Sequence, residues 1–236
     1  PYYNFAFNLL MAPIILLMAF APQIKWGEHK RKNNQTFYII AISIVITAIV
    51  YYLLGNIFFA LSVFITMPLF IKSFLVFFKK VSKDRSFFAQ WLAHLSIGLF
   101  IVAAVYTEQF DYEKNITFEK GDSNEIVLNE GASLLLENIK DSDLSNHQKI
   151  SVDLIVVEKN LKYSLSPSKN IYQPSGQVTN EVSTVNRYFD QYYATISMIE
   201  SDKVSINLVF KPFINLLWIS SILLVFSIFL SIIKRK

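Results

Sequence analysis

The chain has 236 residues, of which 53% are hydrophobic and only 17% charged, with 21 Phe, 12 Tyr and no cysteine. Such a composition is too apolar for an ordinary soluble domain, and the lack of cysteine excludes a disulfide framework, a thiolate metal site and a cysteine nucleophile. The formal charge of +4 hides a split: residues 108–211 carry 16 acidic and 10 basic residues, a net of −6, whereas the rest carries 2 acidic and 12 basic, a net of +10. An acidic segment between basic-flanked apolar ones argues for a membrane protein with an aqueous domain and against nucleic-acid binding.

Five segments are apolar and long enough to cross a bilayer, roughly Phe5–Ile24, Thr36–Leu54, Ile57–Phe78, Phe87–Thr107 and Pro212–Ile233; a core of about 30 Å needs about 20 helical residues. Pro13 and Pro68 are tolerable in spans whose neighbours re-satisfy the backbone. Lys72, towards the end of the third segment, can snorkel. The first segment lacks the basic start of a signal peptide, and more spans follow it. Because the chain opens on PYYNF, without a methionine, it is expected to be the C-terminal piece of a longer protein.

The loops set an orientation. KWGEHKRKNN (25–34), KKVSKDR (79–85) and the terminal KRK (234–236) are basic, while the Gly55-Asn56 link is uncharged. The positive-inside rule places all three basic stretches in the cytoplasm and residues 108–211 outside, with the C-terminus inside. The predicted architecture is an integral membrane α-helical bundle of about five spans, with an exported all-β domain of about 100 residues inserted before the last one. Residues 1–107 hold four transmembrane helices, 108–211 the β domain, and 212–236 the last helix and its basic tail.

Within the β domain, SVDLIVVEK alternates with Val152, Leu154 and Val156 on one face. Glu158-Lys159-Asn160 turns it into LKYSLS, where Leu161, Tyr163 and Leu165 alternate. A second hairpin runs from ATISMI through ESDK into VSINLVF, with Val204, Ile206, Leu208 and Phe210 in phase. NRYFDQYY (186–193) predicts a short helix. A small antiparallel sandwich or barrel follows. At the return to the membrane, Lys211 and Trp218 suit an interfacial position and Pro212 can open the last helix.

No Ser-His-Asp arrangement, carboxylate pair, phosphate loop or metal cluster is visible, so hydrolase and ATPase chemistry is not indicated. The residue that stands out is His94, in AQWLAHLSIGLFIVAAV (89–105). An ionisable ring seven residues into a span lies about 10 Å deep, and it must be hydrogen-bonded, used in a proton relay, or bound to a metal or haem iron. Trp91 shares its face. Ala93, Ser96, Gly98, Ala103 and Ala104 allow close approach of either a helix or a flat macrocycle. His29 falls in a cytoplasmic loop and His147 in the polar loop KDSDLSNHQK, where both read as solvated. Asn115-Ile116-Thr117 fits the N-glycosylation pattern.

Four stretches, in order, resemble the CcmF family of haem lyases of System I cytochrome c maturation: PYYNFAFNLLMAPIILLMAFAP; AHLSIGLF followed by FDYEKNITFEKGDSNEIVL; LSPSKNIYQPSGQVTNEVSTV; and INLVFKPFINLLWISSILL. The resemblance implies an enzyme of the bacterial inner membrane that attaches haem covalently to apocytochrome c outside that membrane. It implies a CcmE-type haem chaperone and CcmH-type subunits as partners. It also implies a resident haem b held by two transmembrane histidines, of which His94 matches the second, the other lying outside this chain. Two departures stand out: the glycines flanking the family's histidine are Ala93 and Ser96 here, and a basic stretch of the family is thinned to SKNIY, leaving Lys169. The rival readings are a non-enzymatic membrane-anchored scaffold for an assembly complex, and a System II-type haem-handling subunit.

Overall fold

The computed structural model describes residues 13–15, 17–18, 34–80, 85–119, 126–129, 132–159, 161–200 and 203–232. Most of the first expected span, His29 and the basic terminal tail lie outside the described residues. Contacts divide the chain into two units, one formed by residues 1–109 with 214–236 and the other by residues 110–213.

Four described helices are long and apolar enough to cross a membrane: α1 (Asn34–Leu54), α2 (Ile57–Lys80), α3 (Arg85–Gln109) and α4 (Ile214–Ile232). The α1–α2 link is two residues long and each residue has a definite part. Gly55 adopts φ 67° and its N–H bonds to Tyr51 O at 2.8 Å, closing α1 with the left-handed conformation that glycine takes without penalty. Asn56 caps α2, its Oδ1 accepting from the Phe59 N–H at 3.0 Å. The same side chain donates from Nδ2 to Gln109 Oε1 at 3.1 Å, which brings the last residue of α3 beside the first turn of α2. α2 and α3 therefore run antiparallel.

Small hydroxyl residues fill the seams between these helices. Ser43, Ser62, Thr66, Ser96, Ser220 and Ser227 are all buried. Each returns its hydroxyl to a carbonyl of its own helix, for example Ser96 Oγ to Leu92 O at 2.7 Å and Ser43 Oγ to Ile39 O at 2.8 Å. In an apolar solvent this satisfies the group and leaves a short side chain that lets helices approach. On α3 the buried residues Ala89, Ser96 and Ala103 recur every seventh position, as do Ser220 and Ser227 on α4. The contact between α3 and α4 is the most extensive helix–helix contact among the described residues.

The second unit is a β-sandwich. One sheet has the order β1 (Tyr112–Glu119), β10 (Lys203–Lys211), β9 (Asp190–Ile199), β8 (Ser183–Arg187). The other runs β2 (Ile126–Asn129), β3 (Ala132–Asp143), β4 (His147–Glu158), β6 (Ser168–Tyr172), β7 (Val178–Glu181), with β5 (Leu161–Leu165) sharing the β4 edge with β6. All pairings are antiparallel. Period-two alternation sends Val152, Leu154 and Val156 of β4 and Val204, Ile206 and Leu208 of β10 inward, where they join Phe118, Leu134, Leu136, Leu165, Ala194 and Ile196 in one core. Each fully buried aliphatic side chain there contributes about 1.5–3 kcal/mol.

Both expected hairpins are present. Lys159, at φ 44°, turns β4 into β5, and the Glu200 N–H to Lys203 O bond closes β9–β10. The short helix expected over 186–193 is absent: this segment is the β8–β9 hairpin, Arg187 facing Asp190 across a two-residue loop. Tyr192 belongs to the inward alternation of Ala194 and Ile196, and this burial overrides the local aromatic spacing that suggested a helix. Pro212 also differs from expectation, lying in the turn before α4 and not in its first helical turn.

Candidate functional site

His94 lies on α3, six residues into the apolar stretch Phe88–Gln109, so about 9 Å from its start. The helix around it is fixed on two sides. On one, aromatic rings of α2 interleave with α3: Phe59 meets Tyr106 at 5.1 Å, Phe77 stacks on Trp91 at 4.5 Å and 27°, and Phe74 meets Trp91 edge-on at 6.1 Å. Phe70 covers Gly98 so closely that a Cβ there would stand 2.8 Å from the ring. On the opposite side runs the Ala89–Ser96–Ala103 seam. At about 100° per residue, Gly98 and Trp91 sit about 40° and 60° from His94 around the helix, and the seam sits about 180–220° away.

The small residues singled out in the sequence thus divide. Ser96, Gly98 and Ala103 are occupied by helix packing and offer nothing to a macrocycle. Ala93, Ile97, Ile101 and Ala104, on the side of His94 away from Gly98 and Trp91, remain partly exposed. His94 itself is half-buried and makes no hydrogen bond or ion pair with another described residue.

Two further polar groups lie near its height. The antiparallel register of α2 and α3, with Phe70 at Gly98 and Phe77 at Trp91, sets Phe74 level with His94 and Ser73 one residue away, level with Leu95. Ser73 Oγ and Trp91 Nε1 are buried and have no hydrogen-bond partner among the described residues. The contrast with the six self-satisfied hydroxyls in the other seams is sharp, since unpaired buried donors are rare and costly. Sequence reading found His94 and Trp91 but missed Ser73, whose only signal is a hydroxyl in an apolar span. Lys72, expected to snorkel, is instead 7% exposed within the bundle. The residues fit a resident haem in the chemistry of the donor set: an imidazole, two unpaired donors and an apolar flank.

The β domain holds three polar arrangements. Glu181 on β7 accepts from Ser168 Oγ at 2.7 Å, Lys149 Nζ at 3.0 Å and Asn170 Nδ2 at 2.9 Å, and these bonds hold its carboxyl at about 2. The stretch SKNIY is therefore strand β6, whose Ser168 and Asn170 brace a neighbouring strand, while Lys169 alternates to the other face. Asp153 is held below the usual carboxylate range by hydrogen bonds from Lys140, at 2.6 Å, and Ser166, at 2.8 Å.

The third arrangement lines a cavity of about 120 Å³ bounded by Tyr112, Ala132, Glu158, Arg187, Tyr192 and Phe210 among others. Arg187 pairs with Glu158 at 3.0 Å and Tyr192 Oη donates to the same carboxylate at 3.1 Å. Burial first, and then the Glu158 charge, push the Tyr192 phenol upward, so it stays a donor. His147 begins β4, its Nδ1 2.7 Å from Asn146 Oδ1 and its ring 5.0 Å from Tyr172. No group of three or more metal-ligating side chains occurs among the described residues.

No family model matches the chain. It is 21% identical over 236 residues to the cytochrome c-type biogenesis protein CcmF of Escherichia coli, covering 95% of this chain and 36% of that protein. It is 22% identical over 257 residues to CcmF of Haemophilus influenzae, covering 100% of this chain and 39% of that protein. A solved structure of the cytochrome c heme lyase CcmF superposes with a TM-score of 0.82 at 13% identity, covering 99% of this chain and 40% of the other. The chain therefore spans about two fifths of the length of these relatives. The resemblance to CcmF, first read from four stretches of sequence, is shown along nearly the whole chain, in sequence and in fold.

Proposed function

We propose that the chain is the C-terminal portion of a haem lyase of cytochrome c maturation, in which His94 is an axial ligand of a resident haem b whose second ligand lies outside this chain. The observation that carries this reading is a half-buried imidazole on a membrane-length helix that makes no hydrogen bond or ion pair with another described residue, near the height at which Ser73 Oγ and Trp91 Nε1 lie buried without a hydrogen-bond partner among the described residues. Neutral imidazole is a good iron ligand, and a haem bound there supplies one-electron redox chemistry. The chain's own residues do the rest. α2 and α4 pack on α3 and fix the helix that carries the ring, Ala93, Ile97 and Ile101 give it an apolar flank, and the Ser73 and Trp91 donors are open to an acceptor or a bridging water. The substrates are haem and apocytochrome c. The β domain, on the periplasmic side of the inner membrane, docks the partners, which include CcmE-type and CcmH-type proteins.

The test is an absorption spectrum of the full-length membrane protein. A b-type signal that disappears in His94→Ala, with the protein still folded and membrane-inserted, supports the assignment. A b-type signal unchanged in that variant overturns it, and a haem-free protein that still binds its partners favours a scaffold.

A further inference from the structure

The tip of the β8–β9 hairpin consists of Tyr188 and Phe189, which are 83% and 48% exposed. Tyr188 sits at φ 50°, in the left-handed region that a tight loop ordinarily gives to Gly, Asn or Asp. A large aromatic side chain is thus held in that conformation with most of its surface outside the core.

The tip is tied to the point where the chain turns into α4. The Phe189 ring stacks on Phe213 at 6.3 Å and 24°, and Asp190 Oδ1 accepts the Phe213 N–H at 2.9 Å. Phe213 is bonded to Ile214, the first residue of an apolar helix of 19 residues, and consecutive Cα atoms are about 3.8 Å apart. Phe189 is therefore held against the residue that precedes a membrane-length helix, with Tyr188 next to it in the chain. Neither tip residue is charged, and the flanking charges are engaged: Arg187 with Glu158 and Asp190, Lys211 with Asp111. Amphipathic rings favour this depth, where the body of the ring meets acyl chains and a hydroxyl stays wet.

We propose that Tyr188 and Phe189 form a lipid-interface anchor, dipping into the headgroup layer of the bilayer that α4 crosses and holding the β8–β9 hairpin against it. The occupant is phospholipid, not a protein partner. The proposal rests on α4 spanning a membrane and not on the haem assignment, so either can fail alone.

The experiment places a nitroxide at Tyr188→Cys, and as a control at Ser175→Cys in the β6–β7 turn, in the full-length protein reconstituted into phosphatidylcholine–phosphatidylglycerol vesicles. Tyr188 is replaceable because its side chain is mostly solvent-exposed. Collision with oxygen, which partitions into lipid, is expected to exceed collision with a water-soluble nickel chelate several-fold at position 188, and the order is expected to reverse at position 175. Should the labelled protein fail to fold, Tyr188→Trp in vesicles of brominated lipid is read instead, with quenching of the added indole fluorescence expected. Equal accessibility at the two sites, shielding of position 188 from both probes, or unquenched fluorescence from the indole added by Tyr188→Trp would each overturn the proposal.

Discussion

Replacing Gly98 by alanine tests the packing that positions His94. The new Cβ would stand 2.8 and 2.9 Å from two carbons at the far end of the Phe70 ring. Ordinary carbon contacts lie at about 3.5–4.0 Å, so the ring must retreat by about 0.7–1.2 Å. Overpacking of this kind costs about 1–3 kcal/mol, whereas alanine gains up to about 1 kcal/mol over glycine inside a helix. The expected outcome for Gly98→Ala is a net destabilisation of about 1 kcal/mol. Phe70→Leu removes the ring end that clashes, so the double variant should recover the loss, with a coupling of about 1–2 kcal/mol. The assay is a four-variant cycle of reversible unfolding in mixed micelles, with denaturing detergent as the variable. Additivity of the two substitutions, or a Gly98→Ala protein more stable than the parent, refutes the close approach of α2 to α3.

Three further outcomes are expected. Leu154→Ala, at a fully buried site in the β core, should lower the stability of the sandwich by about 2–5 kcal/mol, measured by denaturant unfolding followed through β-sheet circular dichroism. Arg187→Ala leaves the partly buried Glu158 with the Tyr192 hydroxyl in place of an ion pair, and should cost about 1–2 kcal/mol by the same assay, whereas Glu158→Gln, which keeps an acceptor for that hydroxyl, should cost less. Glu181 has its folded-state carboxyl depressed to about 2 from an ordinary 4.5, so its contribution is fully present above pH 4.5 and is lost as pH falls towards about 2; Glu181→Gln should remove part of the acid sensitivity in that window without changing the neutral-to-alkaline profile.

The sequence made legible what depends on period and on end signals. The spans follow from apolar length, and the β4–β5 and β9–β10 hairpins follow from alternation and a polar turn. The segment 186–193 misled because its turn carries none of the usual residues. Where Gly or Asn would have marked it, Tyr188 and Phe189 stand, and the strand period resumes only at Tyr192. The feature that hid the hairpin from the sequence is the pair of aromatic residues that its tip exposes.

The His94 site divides along the same line. That an imidazole lies in a span is plain from the sequence, but what surrounds it depends on which helix covers which face, and tertiary packing alone decides that. Ala93, Ser96, Gly98, Ala103 and Ala104 are equivalent in sequence as small residues near a histidine. Packing assigns three of them to neighbouring helices and leaves Ala93 and Ala104 on the open flank. Ser73 became visible only through the register of α2 against α3, since a serine in an apolar span ordinarily bonds back to its own helix, as six other hydroxyl residues here do. The departure from the family's glycines has a physical reading as well. Ser96 is fully buried on the face of α3 away from His94, with its hydroxyl already spent on Leu92, so a glycine there is not needed for access to His94. Ala93, on the open side, is the one position of the two where a methyl group bears on what can reach the ring.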